Sequence, residues 1–213
     1  MTAPAPAVRP SSLAATVRPS WPRAAGILIL TGGVLLTVAT ALEIGTDVST
    51  EPGPATAFWV LFLASTLAHV AAMFPLALGR GDGRGAVGSS VAGKLALLGF
   101  GAFFLANQSL YLLAGYLLPI SEPVDGATAF LFGMSAVQGL LLTIGGIMIV
   151  RARVLTGAAR WAILVLSLVG FALGAVINAS SVEALTNTMY FVSTGAQIIA
   201  GLLIARAGIT AAK

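Results

Sequence analysis

The chain has 213 residues, 58% of them hydrophobic and only 8% charged, with a mean hydropathy of +0.99. A soluble domain is roughly a quarter charged, so these figures exclude a water-soluble core. A net charge of +4 and a pI near 10.1 do not point to nucleic acid, because the bases stand singly between apolar blocks with no recognition motif. With no cysteine there is no disulfide framework, thiolate metal site or catalytic thiol.

Residues 1–23 carry Pro4, Pro6, Pro10, Pro19 and Pro22 and show no helical periodicity, which predicts a disordered, basic tail. The apolar run that follows is too long for a signal-peptide core. Glu43 and Asp47 stand where a small-residue cleavage site would be needed, so this run is expected to stay as an anchor. Six apolar segments follow in order, at residues 24–44, 55–78, 95–118, 127–150, 158–177 and 184–205. Each exceeds the roughly 18 residues needed to cross a hydrocarbon core of about 30 Å as a helix. The second holds His69, the only histidine, and is bounded by Pro52 and Pro54; Pro119 and Pro123 close the third. The prediction is an all-α, six-helix transmembrane bundle over residues 24–207 with a short tail at 208–213.

Charge settles the expected topology. The basic residues are Arg9, Arg18 and Arg23 in the tail, Arg80, Arg84 and Lys94 in the second loop, Arg151, Arg153 and Arg160 in the fourth, and Arg206 and Lys213 at the end. With six spans, all of them fall on one side. Glu43, Asp47, Glu51, Glu122, Asp125 and Glu183 fall on the other, and only Asp82 joins the bases. The positive-inside rule then places both termini in the cytoplasm of a multi-pass protein of the cell (inner) membrane. Trp21 and Trp161 sit at predicted inner ends and Trp59 at an outer one, where an amphipathic ring prefers the headgroup zone.

Residues 49–58 (STEPGPATAF) and 121–130 (SEPVDGATAF) are alike. The even-numbered helices carry Ser65 with His69, Ser135 with Gln138, and Ser193 with Gln197, pairs that share a helix face. Three related hairpins explain this, and so does chance in a composition rich in Ala, Ser and Thr.

His69, Asn107, Gln108, Gln138 and Gln197 lie near the midpoints of their spans. Polar groups at that depth either line a ligand- or proton-handling site or serve as hydrogen-bonding glue between helices. His69 is the one member that exchanges a proton near neutral pH, and burial in an apolar span favours its neutral form. It lacks a second histidine for haem and the neighbours a zinc site needs, so no metal or cofactor is expected. Glu43, near the end of the first span, reads as a hydrated carboxylate at the outer interface. Gly88 to Lys94 has the G-x-x-x-x-G-K spacing of a phosphate loop, but Leu95 replaces the magnesium-holding Ser or Thr and no strand precedes it. Gly170 with Gly174, Gly139 with Gly146, and Gly201 with Gly208 have the spacing of helix-packing faces.

The opening RAAGILILTGGVLLTVATALEIG, the acidic first outer loop and the W-x9-H of Trp59 and His69 resemble a broad group of uncharacterised six-helix integral membrane proteins of high-GC bacteria. The resemblance covers about the first eighty residues and implies no activity. Three function classes remain open. A non-enzymatic accessory protein would bind another membrane protein or a second copy of itself, and the short loops favour it. A small transporter or channel would place its small-molecule or ion substrate around His69. A membrane-embedded enzyme is disfavoured, because no carboxylate or histidine pair lies within the bilayer.

Overall fold

The structure is a computed structural model that describes residues 20–80, 83–117 and 125–209. Over these the chain forms α1 (Trp21–Gly45), α2 (Pro52–Leu78), α3 (Val91–Leu112), α4 (Asp125–Ala152), α5 (Ala159–Ala179) and α6 (Glu183–Ala205); α3 continues into a π-turn, Leu113–Leu117. All six helices are long and apolar enough to cross a membrane, and among the described residues there is no strand beyond an isolated bridge.

The first three helices begin three or four residues before the apolar runs do. Pro22 and Pro52 occupy first-turn positions, where a missing N–H costs nothing. The Ser90 hydroxyl accepts from the Gly93 N–H at 3.1 Å and caps α3, with Lys94 already inside its first turn. An apolar window stops at the first charge; a capped helix does not. The expected tail is corrected accordingly: Trp21 to Arg23 belong to α1, and Trp21 is 5% exposed, packed into the core at the basic end. Residues 1–19, Asp82, Pro119, Glu122, Pro123 and residues 210–213 lie outside the described residues.

Each helix packs on its neighbours in sequence, and α1 also packs on α6, so the six close into a ring. The helices alternate in direction. Arg80, just after α2, donates to the Ser20 hydroxyl before α1. Thr156, in the α4–α5 loop, donates its N–H and its hydroxyl to the Gly208 carbonyl after α6, both at 3.1 Å. Leu155 and Ile209 form an antiparallel bridge beside them. One end of the ring therefore gathers the start of α1, α3 and α5 and the finish of α2, α4 and α6. Every described Lys and Arg is at this basic end; every described Asp and Glu is at the opposite, acidic end.

The two ends are packed differently. At the basic end one core draws on all six helices and on both loops: Trp21 and Ile29, Met73 and Leu76, Val87, Leu97 and Phe100, Ile149, Leu155 and Ile163, and Ile204. The α1–α6 seam within it is backbone on backbone. A Cβ placed on Gly26 would lie 2.1 Å from the Ala205 nitrogen, and one on Gly201 would lie 2.4 Å from the Leu30 nitrogen. Lipid gives no hydrophobic drive for helix association, so such close approach is what holds the helices. At the acidic end a smaller core of Ala39, Val48, Phe58, Phe62 and Leu112 joins only α1, α2, α3 and the first loop. The matching halves of α4, α5 and α6 expose Phe130, Phe171, Val176, Leu185 and Phe191.

Candidate functional site

The polar side chains of the spans fall into tiers. At 1.5 Å per residue from the basic end, Gln197 and His69 lie about 12–14 Å up, Gln138, Asn107 and Gln108 about 21–26 Å, and Tyr111 and Glu43 about 30–33 Å. The single mid-depth cluster expected from the sequence is thus two layers, with a third above them.

The lowest tier is built around α1. His69 is 6% exposed. Its Nδ1 lies 2.9 Å from the Ser65 carbonyl, which can only accept, so Nδ1 carries the proton and Nε2 presents a lone pair. Ser65, one turn away on α2, donates its hydroxyl to the Gly32 carbonyl of α1 at 2.8 Å. Gly32 leaves the space that the imidazole fills: a Cβ there would meet Cε1 and Nδ1 of His69 at 2.5 Å. Its neighbour Gly33 faces the Cβ of Gln197 on α6, 3.3 Å from where its own Cβ would stand. The Gly32–Gly33 pair thus lets side chains from α2 and α6 close on one stretch of α1. Phe104 of α3 and the imidazole meet in a T-shaped arrangement, with ring centroids 5.7 Å apart.

The middle tier lies between α3 and α4. The Asn107 amide donates to the Ser135 hydroxyl at 3.2 Å, and that hydroxyl donates to the Leu131 carbonyl at 2.9 Å. This is interhelical bonding of the ordinary kind. Asn107 sits one turn above Phe104, on the α3 face that meets His69. The Gln197 amide is within hydrogen-bonding reach of the His69 ring; across the two tiers, His69 Nε2, Gln197 Oε1, Asn107 Oδ1 and Gln138 Oε1 are buried with no well-formed hydrogen bond among the described residues. Each is an acceptor. A buried acceptor left unpaired costs about 1–3 kcal/mol; the Gln197 amide can turn an N–H to the His69 lone pair, so the need for a donor is strongest at Asn107 Oδ1 and Gln138 Oε1.

The top tier escaped sequence reasoning. Glu43 is not simply hydrated: one of its oxygens, Oε1, accepts from both the Tyr111 and the Tyr116 hydroxyls. The π-turn makes this possible. Bonding from i to i+5 brings residues five apart onto one side, where an α-helix would splay Tyr111 and Tyr116 apart. Comparing the depths of Glu43 and the tyrosines along their helices was the signal available; the π-turn itself leaves none.

Asp47 belongs to the loop above. The Ser49 hydroxyl, with further donors from Thr50 and the Ser49 N–H, holds its carboxyl below the usual carboxylate range.

The packing glycines divide. A Cβ on Gly139 would strike the Phe171 ring at 2.7 Å, one on Gly146 the Leu164 backbone at 2.7 Å, and one on Gly208 the Thr156 hydroxyl at 3.0 Å. At Gly170 and Gly174 a Cβ would meet nothing within 4 Å. Among the described residues this GxxxG therefore offers no close-packed seam of the Gly26–Gly201 kind, and α5 buries Ala162, Ile163 and Ser167 in its basic half instead. The phosphate-loop spacing also has a structural use: Ser90 is a helix cap, and Gly93 fits against Val87 and Met148. Among the described residues no three His, Cys, Asp or Glu side chains gather as a metal site would require.

Fold and charge together define an all-α, multi-pass integral membrane protein. Comparison with protein-family models, with curated proteins and with solved structures gives no match.

Proposed function

We propose that the chain is a small transporter- or channel-type membrane protein, not an enzyme, that admits a hydrogen-bond-donating solute from its acidic end. Both termini are then cytoplasmic, and the acidic end faces outward, as the positive-inside rule prefers. The observation that carries this reading is the set of buried polar groups on His69, Gln197, Asn107 and Gln138, in which the Asn107 and Gln138 oxygens have no donor among the described residues. Water, hydronium and ammonium all supply what these atoms lack. The six-helix core at the basic end fits a closed floor, and the thinner packing at the acidic end fits a mouth.

The test is flux through purified protein in liposomes: stopped-flow shrinkage for water, and trapped pyranine for proton and ammonium entry. At least one rate is expected to exceed that of empty liposomes and to fall several-fold in His69→Ala or Gln197→Ala. Rates equal to those of empty liposomes for all three solutes would remove the reading.

An accessory role is the second reading. It is favoured by the aromatic and β-branched side chains that α5 and α6 expose at the acidic end, beside a Gly170 with room around it. A stable partner, or a second copy, that stays bound through detergent purification would support it.

A further inference from the structure

We propose that Glu43, Tyr111 and Tyr116 form a binding site for a primary ammonium group at the acidic face. The site stands apart from the midplane tiers and does not depend on passage through them.

The first argument is the backbone. π-turns are rare and concentrate at functional sites, and this one swings Tyr116 onto the carboxylate that Tyr111 already reaches. The second is an inventory of lone pairs. Both phenol hydrogens are spent on Glu43, so what remains on the two phenol oxygens and the carboxylate can only accept. Three N–H donors on one cation match that set; an anion or a carbonyl does not. The third is the field. Glu43 lies in the last turn of α1, and the tyrosines lie where α3 ends, so two helix C-termini add partial negative charge to the carboxylate. The described bases are all at the other end of the bundle.

The walls agree. Tyr111 stacks on Phe62 at 5.7 Å and Tyr116 leans on Phe58 at 5.2 Å, so two buried rings hold the phenols in place around the carboxylate. Tyr190 of α6 lies within electrostatic reach of Glu43. Tyr111 is 37% exposed and Glu43 half-buried, so the group is reachable from the surface. The ammonium has two sources at this depth: a free amine in the outer water, or the headgroup amine of a phosphatidylethanolamine molecule.

Trp59 packs against the same cluster, whereas Trp21 and Trp161 sit at the basic end, so tryptophan emission from the full-length protein reports on the site. In phosphatidylglycerol nanodiscs, ethylammonium is expected to change this emission saturably, with tetramethylammonium weaker because it has no N–H. Glu43→Gln, which keeps acceptors for both phenols, is expected to weaken binding by about tenfold or more with helicity unchanged by circular dichroism. If that variant fails to fold, Tyr116→Phe is expected to weaken binding by about three- to tenfold instead. Phosphatidylethanolamine nanodiscs separate the sources. A wild-type emission already shifted there, and insensitive to added amine, assigns the headgroup; an unshifted emission that responds to ethylammonium assigns the free amine. No saturable response in phosphatidylglycerol together with identical emission in the two lipids overturns the site. So does a folded Glu43→Gln protein of unchanged affinity, which would leave the tyrosine pair as a structural latch only.

Discussion

The basic and acidic ends of this ring are built from the same helices by different means. At the basic end glycine seams bring backbones into contact, two loops tuck Val87 and Leu155 inward, and every helix contributes to one core. At the acidic end three helices are held by aromatic rings and by two phenols on a single carboxylate, and the other three make no comparable core among the described residues. In a bilayer, burying apolar surface against protein is barely distinguishable from burying it against lipid. Where helices must stay together, close approach and hydrogen bonds do the holding; where those are sparse, the helices are free to part. The difference separates a fixed end from a yielding one.

The comparison is tested most severely by Gly26→Ala. Its methyl would meet the Ala205 backbone, which cannot move aside as a side chain would. Overpacking of this kind is expected to destabilise the protein by about 2–3 kcal/mol, read as a large fall in the thermal midpoint in detergent. Gly170→Ala, the same change where nothing is met, is expected to leave the midpoint unmoved. Equal effects of the two substitutions would break the distinction between the ends.

Tyr116→Phe removes one of two donors to a carboxylate and is expected to cost about 1–2 kcal/mol. Protease sensitivity should rise in the acidic-end loops and stay flat at the basic end; a uniform rise would mean that the ends unfold as one.

Ser65→Ala deletes the bond to the Gly32 carbonyl, at about 1 kcal/mol, and frees the His69 side of the α1–α2 seam. Hydrogen exchange is expected to quicken around Gly32 and not around Glu43.

Asp47→Asn gives the smallest effect. The donors of Ser49 and Thr50 lower the folded pKa of Asp47 from its ordinary 3.8, so its contribution is complete above that value and fades as pH falls through the lowered one. The wild-type midpoint should drop on acidification in that window, and the variant should lose only this part of the drop.

Much of the fold was legible because lipid imposes a severe grammar: long apolar runs, separated by charges sorted by side, leave almost no alternative to six helices. Helix ends were less legible, since Ser90 and Pro22 extend helices past the charges at which an apolar run stops. The site was harder still. His69 stood out by its chemistry, but its use of Gly32 and Gln197 depends on α1 sitting between α2 and α6, a closure that no local pattern encodes. Glu43 reads from the sequence as an ordinary interface carboxylate, because its partners lie on α3 and the π-turn after it, and one reaches it only through that turn, which has no sequence signature. Of the two alike stretches, residues 55–58 lie in the first two turns of α2 and residues 127–130 in the first two of α4.

The seam between α1 and α6 carries a consequence for biogenesis. A growing chain releases its opening helix long before the closing one exists, and so the glycine face at Gly26 must wait in lipid, or against some temporary companion, until Gly201 arrives. Loss of the last helix would therefore leave the first without half of its partners, and a truncation just before α6 should be cleared by proteolysis and not persist as a five-helix remnant.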